Sequence, residues 1–179
     1  MNLLKNLPQL VPQEVCLSCD GCCRFKERDS QFRPRVTKEE IDQIHAHHGS
    51  LAEKIFSKGM VDENNYLRTA ECMGGFRCTF FNMHDHTCGI YETRPLECQL
   101  YPILLIKKEG AITVGVHLNC PFIQEKRDSL LFEDYIVRLK EFLLKDENLE
   151  FLQRNISIAG EYPAYQSEIE CLFPLPLKV

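Results

Sequence analysis

The sequence predicts an α+β fold: a small cysteine-rich metal-binding core with two β-hairpins, packed against helices. Three observations predict it. The segment CLSCDGCC, residues 16–23, places Cys16, Cys19, Cys22 and Cys23 within one short run. Two apolar stretches, 76–91 and 102–116, are each broken by a polar or glycine-bearing turn, as in hairpins. Between 128 and 154, apolar residues recur at helical spacing.

The chain has 179 residues, 44% hydrophobic and 26% charged, which is ordinary globular composition and enough for a real core. Its net charge of -5 argues against non-specific nucleic-acid binding. A local basic run, Arg24, Lys26, Arg28, Arg33, Arg35 and Lys38, follows the cysteines. It offers a patch for an anionic partner. It also suits the field of a four-thiolate metal centre, whose net charge is about -2.

Residues 1–15 read as an irregular lead-in, because Pro8 and Pro12 interrupt any long helix. They carry no secretory signal pattern, and no stretch approaches the ~18 apolar residues of a membrane helix. The expectation is a soluble, cytoplasmic protein with no membrane partner. In that compartment ten cysteines point to metal or redox chemistry rather than structural disulfides.

Thr37 and Glu40 form a capping box that opens a helix with Ile41, Ile44 and His48 on one stripe. Gly49 is expected to end it. Ser50–Glu53 repeats the signal for a second helix, through Lys58 to Gly59, with Leu51, Ile55 and Phe56 buried. His45, His47 and His48 on this pair read as surface or core-edge residues rather than ligands.

Within 76–91, the loop 82–86 joins two short strands and sets Cys78 near Cys88 across the hairpin. His84 and His86 in the loop are spare ligand candidates. Thr93 can cap a short helix with Pro95 in its first turn, so that Cys98 falls where backbone N–H groups favour a thiolate. Tyr101-Pro102 closes it.

Residues 102–116 form the second hairpin, with Glu109-Gly110 at the turn, leading into His117-Leu118-Asn119-Cys120-Pro121. Asp128 or Ser129 caps the strongest helix, with Leu131, Tyr135, Leu139, Phe142 and Leu143 on its apolar side and a break near 146–148. The tail from Gly160 to Val179 reads as irregular and proline-rich, and Cys171 as a free thiol. The division expected is a cysteine-cluster metal-binding domain, 1–125, and a helical C-terminal extension, 126–179, on the same core.

Eight cysteines make the candidate ligand set: Cys16, Cys19, Cys22, Cys23, Cys78, Cys88, Cys98 and Cys120. Eight suffice for a pair of tetrahedral Cys₄ sites, or for one cluster with further thiols. Cys72 and Cys171 lack partners at short spacing. Adjacent side chains diverge, so Cys22 and Cys23 need an unusual turn to share one ion or else serve neighbouring sites; Gly21 permits a tight turn. Cys16, Cys19, Cys22 and Cys120-Pro121 resemble bacterial ferredoxin ligation, which would leave Cys23, Cys78, Cys88 and Cys98 for a second site. A closed zinc site asks for the same thiolates. The metal is therefore zinc or iron, a [4Fe–4S] cluster being one form of the latter.

CLSCDGCC, then CTFFNMHDHTCGIYETRPLECQLYP, then LNCP, resembles the YkgJ-type cysteine-cluster family, a zinc- or iron-chelating domain. The match runs from residue 16 to about 121. It implies that the eight cysteines are the ligands and brings Tyr91, Arg94 and Pro95 with it. Arg94 then either serves the cluster sulfurs or an anionic ligand, or pairs with Glu92 or Glu97. The flagellin lysine methylase is similar in the cysteine region, which implies an S-adenosylmethionine-dependent protein methyltransferase as one alternative, although no glycine-rich nucleotide loop follows a strand here. The leading expectation is a metal-binding protein with a redox, sensing or metal-handling role and no required enzymatic step. The other alternative is an interaction module whose zinc is structural.

Overall fold

The computed structural model describes residues 4, 6–19, 21–55 and 59–179, with backbone alone at 50–55. Its helices and antiparallel sheets make an α+β fold. The described chain divides into two compact units, one of Pro12–Cys98 and one of the described part of Leu3–Val11 with Gln99–Val179.

The first unit begins with helix α1 (Gln13–Ser18), so residues 13–15, the end of the expected irregular lead-in, are helical and Cys16 continues the same turn. A 3₁₀ turn, Gly21–Cys23, runs into strand β1 (Arg24–Phe25). Helix α2 spans Lys38–Ile55. Its predicted capping box is present: Thr37 N–H donates to Glu40 Oε2 (2.8 Å) and Glu40 N–H donates to Thr37 Oγ1 (3.2 Å). Ile44 is fully buried. The expected break at Gly49 is corrected: one helix runs through it. A single exposed glycine costs a helix about 1 kcal/mol, less than the surrounding turns return. The expected burial of Leu51, Ile55 and Phe56 lies outside the described side chains.

Strands β2 (Thr69–Cys72) and β3 (Gly75–Cys78) form a hairpin, and β1 adds to β3 in the order β1-β3-β2. Gly75 holds φ +147°, and a Cβ there would meet the Phe25 carbonyl at 2.5 Å, so only glycine lets β1 approach at this corner. The separate ribbon β4 (Phe81–Asn82) and β5 (Thr87–Cys88) carries the predicted polar loop. This corrects the first hairpin: Cys78 pairs with Thr69 and Cys88 with Phe81, so the two cysteines lie in neighbouring sheets rather than across one turn. A 3₁₀ turn, Tyr91–Thr93, leads to helix α3 (Leu96–Leu100). Thr93 does not cap α3: its hydroxyl meets Ile90 O and His48 Nε2, and Leu96 N–H instead donates to Glu40 Oε1 at 2.6 Å. The unit's core is Phe25, Val36, Ile44, Met60, Leu67, Phe80, Phe81 and Ile90, with Cys78 inside it and Cys23 and Cys88 packed on it.

The second unit is a three-stranded sheet with helices. Strands β6 (Ile103–Lys108) and β7 (Ala111–His117) form the predicted hairpin, and Glu109 and Gly110 both take positive φ at its turn. Strand β8 (Ile169–Lys178) pairs antiparallel with β7. The irregular tail is thereby corrected. Phe173, Leu175 and Leu177 point inward, while Pro174 and Pro176 occupy the exposed alternate positions of an edge strand, where a missing N–H is tolerated. Helix α4 (Pro121–Lys126) follows Cys120, with Pro121 at its first position. Helices α5 (Leu130–Leu143) and α6 (Asp146–Arg154) meet near the expected break. Ser129 caps α5 by accepting from Phe132 N–H at 3.3 Å. Its buried side is Phe132, Tyr135, Leu139, Phe142 and Leu143; Leu131 is half-exposed, so the stripe begins one residue later than expected.

Candidate metal centre

Seven of the candidate cysteines, Cys16, Cys19, Cys22, Cys23, Cys78, Cys88 and Cys98, belong to the first unit. Local structure explains how each is presented. Pro12 starts α1 and lifts Cys16 onto it; Cys19 follows as the C-cap, its N–H donating to Cys16 O at 3.3 Å. The Gly21–Cys23 turn carries two successive cysteines, Cys22 and Cys23, whose side chains hydrogen-bond to each other. Arg24 pairs with Arg77 across β1 and β3, Cys23 directly precedes Arg24 and Cys78 directly follows Arg77, and the charge of Cys78 acts on Cys23. Helix α1 packs against β5, bringing Cys16 toward Cys88. Cys98 stands in α3, tied through Leu96 to Glu40.

The thiols feel one another. The Cys23 thiol is pushed far above the ordinary range, first by its hydrogen bond to Cys22, then by burial, then by the charges of Cys22, Cys78 and Cys98. Burial pushes Cys78 up to about 12, with Cys88 and Cys22 adding to it. Burial also raises Cys98, with Cys78, Cys22 and Cys88 as further causes. Cys16 rises through burial and then through Cys22, Cys19 and Cys88. Cys88 rises through burial and Cys22. Cys98 falls in the short helix that the sequence implied, and burial among like groups raises its thiol there. These neutral thiols must each release a proton to bind a metal.

Cations oppose the crowding. Arg94 draws Cys16 and Cys88 down, and Arg77 does so for Cys78. Arg94 stacks on the Tyr91 ring at 3.9 Å and donates to Tyr91 O at 2.8 Å, while the Tyr91 hydroxyl bonds the Cys16 thiol. Glu97, weighed as a partner for Arg94, instead pairs with Arg35 at 3.4 Å.

Among the described residues, no three His, Cys, Asp or Glu side chains form a ready-made cage for an ion. Cys120 belongs to the second unit, buried at the N-cap of α4. There His117 is held by Tyr101 (3.0 Å at Nδ1) and Glu168 (3.5 Å at Nε2). His84 is exposed and His86 packs edge-on against Phe81. His47 meets Gln43 O and His48 meets Thr93. Cys72 lies at the end of β2 opposite Gly75, and Cys171 is exposed on β8. Sequence reading missed Arg77 as a cation beside Cys78; its signal was the placement of Arg77 directly before that cysteine. No described helix is long and apolar enough to cross a membrane.

Comparison with known proteins follows the same cysteines. A family model, CxxCxxCC, described as "Putative zinc- or iron-chelating domain", matches residues 15–129. An uncharacterized protein of Methanocaldococcus jannaschii is 26% identical over 99 residues, which cover 55% of this chain and 50% of that protein. The chain thus matches about half the length of this curated relative. No solved structure matches it.

Proposed function

Since the chain belongs to the CxxCxxCC family, we propose that it chelates zinc or iron through Cys16, Cys19, Cys22, Cys23, Cys78, Cys88 and Cys98, with Cys120 as an eighth ligand. The observation that carries this reading is the crowding of thiols in the first unit, where Cys78 lies in the core with Cys23 and Cys88 packed on it and Cys22 acts on Cys16, Cys23, Cys78, Cys88 and Cys98, offset by Arg77 and Arg94. The donor set is all sulfur, which suits zinc or iron and not magnesium or calcium. In this reading residues 1–125 carry the metal function, and 126–179 support it. The role is redox, sensing or metal handling in the cytoplasm, where thiols stay reduced. Bound iron would supply electron transfer; bound zinc would supply cross-linking.

The placement of Cys78 inside the apolar core, with Cys23 and Cys88 on it, favours a second reading. There the metal is structural and binding is coupled to folding of the first unit. Metal content and an absorption spectrum on anaerobically purified protein separate the readings. Iron with labile sulfide and a broad band near ~400 nm, as Cys-ligated clusters give, supports the redox role. Zinc with a featureless visible spectrum, and unfolding on chelation, supports the structural one. Protein that holds neither metal overturns both. A Cys120→Ser variant with unchanged metal content removes Cys120 from the ligand set.

A further inference from the structure

The arginines of the basic run that follows the first cysteines are already partnered. Arg28 pairs with Glu71, Arg33 with Asp62 at 2.8 Å, and Arg35 with Glu97. Elsewhere in the first unit Arg77 donates to the carbonyls of Cys78 and Phe81, Arg94 donates to Tyr91 O, and Arg24 lies over the Phe81 ring. Arg68 is the exception. Among the described residues its partly buried guanidinium has no ion pair or hydrogen bond, and its Nε is wholly buried without an acceptor. Thr79 Oγ1 and Gln31 Oε1 are likewise buried without a hydrogen-bond partner among the described residues. These residues lie on segments that touch. Thr79 N–H donates to Arg68 O at 3.2 Å, one step beyond the Thr69–Cys78 pair of β2 and β3. Leu67 N–H donates to Pro34 O at 2.9 Å and the Thr69 hydroxyl donates to Arg28 O at 3.1 Å. The 28–34 loop, which carries Gln31, is thus tied to the chain immediately before and immediately after Arg68.

We propose that Arg68, Thr79 and Gln31 form a binding site for a small tetrahedral oxyanion of the phosphate or sulfate class. The site goes beyond the chelation reading and does not depend on it, because no thiol is among its donors.

The argument starts from the cost of the bare donor. A buried polar group without a partner is unfavourable, and more so when it carries charge, so native structures rarely keep one without a reason. A guanidinium held in this way with no carboxylate beside it calls for an acceptor from outside the chain. Its Nε edge presents parallel N–H groups that fit neighbouring oxygens of one anion. The Thr79 hydroxyl can rotate to donate to a further oxygen. The Gln31 amide, turned about its last bond, offers N–H in place of its oxygen. Donors that come from a strand end, from the residue bonded to it and from a loop suit a tetrahedral anion. A planar carboxylate would be filled by the guanidinium fork alone. The chain's net charge of -5 gives an anion no long-range attraction, so binding has to come from this local arrangement.

The test titrates inorganic phosphate, sulfate, phenyl phosphate and acetate into the full chain by calorimetry, in chloride at constant ionic strength so that screening does not change. The expected result is saturable binding of phosphate and sulfate and none of acetate. Arg68→Gln should weaken phosphate binding roughly 10- to 150-fold, as loss of a charge-assisted hydrogen bond does. Thr79→Val and Gln31→Leu should each weaken it roughly 2- to 10-fold. These variants keep every candidate thiol, so metal content should not change with them. Phenyl phosphate binding more weakly than phosphate assigns the site to the free ion, and binding as well or better assigns it to a phosphoryl ester; both uphold the proposal. If Arg68→Gln fails to fold, Thr79→Val and Gln31→Leu carry the test. No saturable binding would mean that water alone serves these atoms, and overturns the site. Binding that the variants leave unchanged, or a preference for acetate, overturns it as well.

Discussion

Arg24 and Arg77 stand directly opposite each other in the β1–β3 pair, and both reach Phe81. The Arg24 guanidinium lies 5.5 Å from the Phe81 ring centroid, and Arg77 Nη1 donates to Phe81 O at 2.8 Å. Like charges in opposed positions work against a sheet by roughly 0.2–1 kcal/mol. Each arginine has a cysteine of the candidate centre as its neighbour in sequence, Cys23 before Arg24 and Cys78 after Arg77. An anionic thiolate–metal centre would turn this repulsion into attraction.

Arg24→Gln tests that relationship. In metal-free protein it relieves repulsion and loses the contact with Phe81, terms of similar size, so the melting temperature should move little. In zinc-loaded protein it removes a cation beside the thiolates. The rise in melting temperature on adding zinc should therefore be smaller than in the unaltered chain. An equal rise in both proteins would show that Arg24 does not serve the centre.

Glu40 joins two elements through one carboxylate. Oε2 closes the capping box on Thr37, and Oε1 receives Leu96 N–H at the start of the helix that holds Cys98. Thr37→Ala should cost about 0.5–2 kcal/mol, the ordinary cost of a lost cap. Glu40→Ala should cost more, by about 1–3 kcal/mol, because it strands a buried N–H as well. Urea unfolding of both variants compares them. Equal costs would mean that the bond to Leu96 contributes nothing.

Glu97 gives the metal-free protein a pH dependence of definite sign. Burial raises its carboxyl to about 7, against the pull of Arg35. The folded state therefore keeps a proton that the unfolded chain gives up near pH 4.5. Its stabilising contribution is complete below that value and is lost as pH rises through about 7. The slope approaches about 1.4 kcal/mol per pH unit between the two. Glu97→Gln should flatten this fall in a series of unfolding midpoints. Glu40, whose carboxyl burial also raises, adds to the rise of Glu97 and remains in both proteins.

What the sequence made legible was local. Thr37 and Glu40 are three residues apart, and their bonds are those the spacing implies. The β6–β7 hairpin and the Ser129 cap have the same short reach. What it concealed was set at a distance. Strand β1 has two residues and exists only through its pairing with β3, far along the chain. Strand β8 carried an alternation of Phe173, Leu175 and Leu177, but the intervening prolines looked like a loop until β7 supplied the partner. The cysteine spacing announced thiol chemistry at once. It could not say that Arg24 beside Cys23 stands opposite Arg77 beside Cys78, because that neighbour is chosen by sheet register, not by interval.

The β6-β7-β8 sheet can be disturbed independently of the thiols. Gly115 sits in β7 opposite Cys171, at the irregularity in the β7–β8 register. A Cβ there would lie 2.5 Å from Ile106 Cδ1, 3.0 Å from Glu170 O and 3.1 Å from Ile169 Cγ2. Ile106 can swing its terminal methyl away, but the Glu170 carbonyl belongs to the paired backbone and cannot. Gly115→Val, which adds two further carbons, should therefore destabilise the second unit by about 1–3 kcal/mol, as overpacking does. Gly115→Ala should cost less. Neither touches a thiol of the first unit, so metal stoichiometry should hold while the unfolding midpoint falls. A loss of metal in step with the loss of stability would instead show that the second unit's sheet supports the centre, and would return Cys120 to first place among the ligands to be mutated.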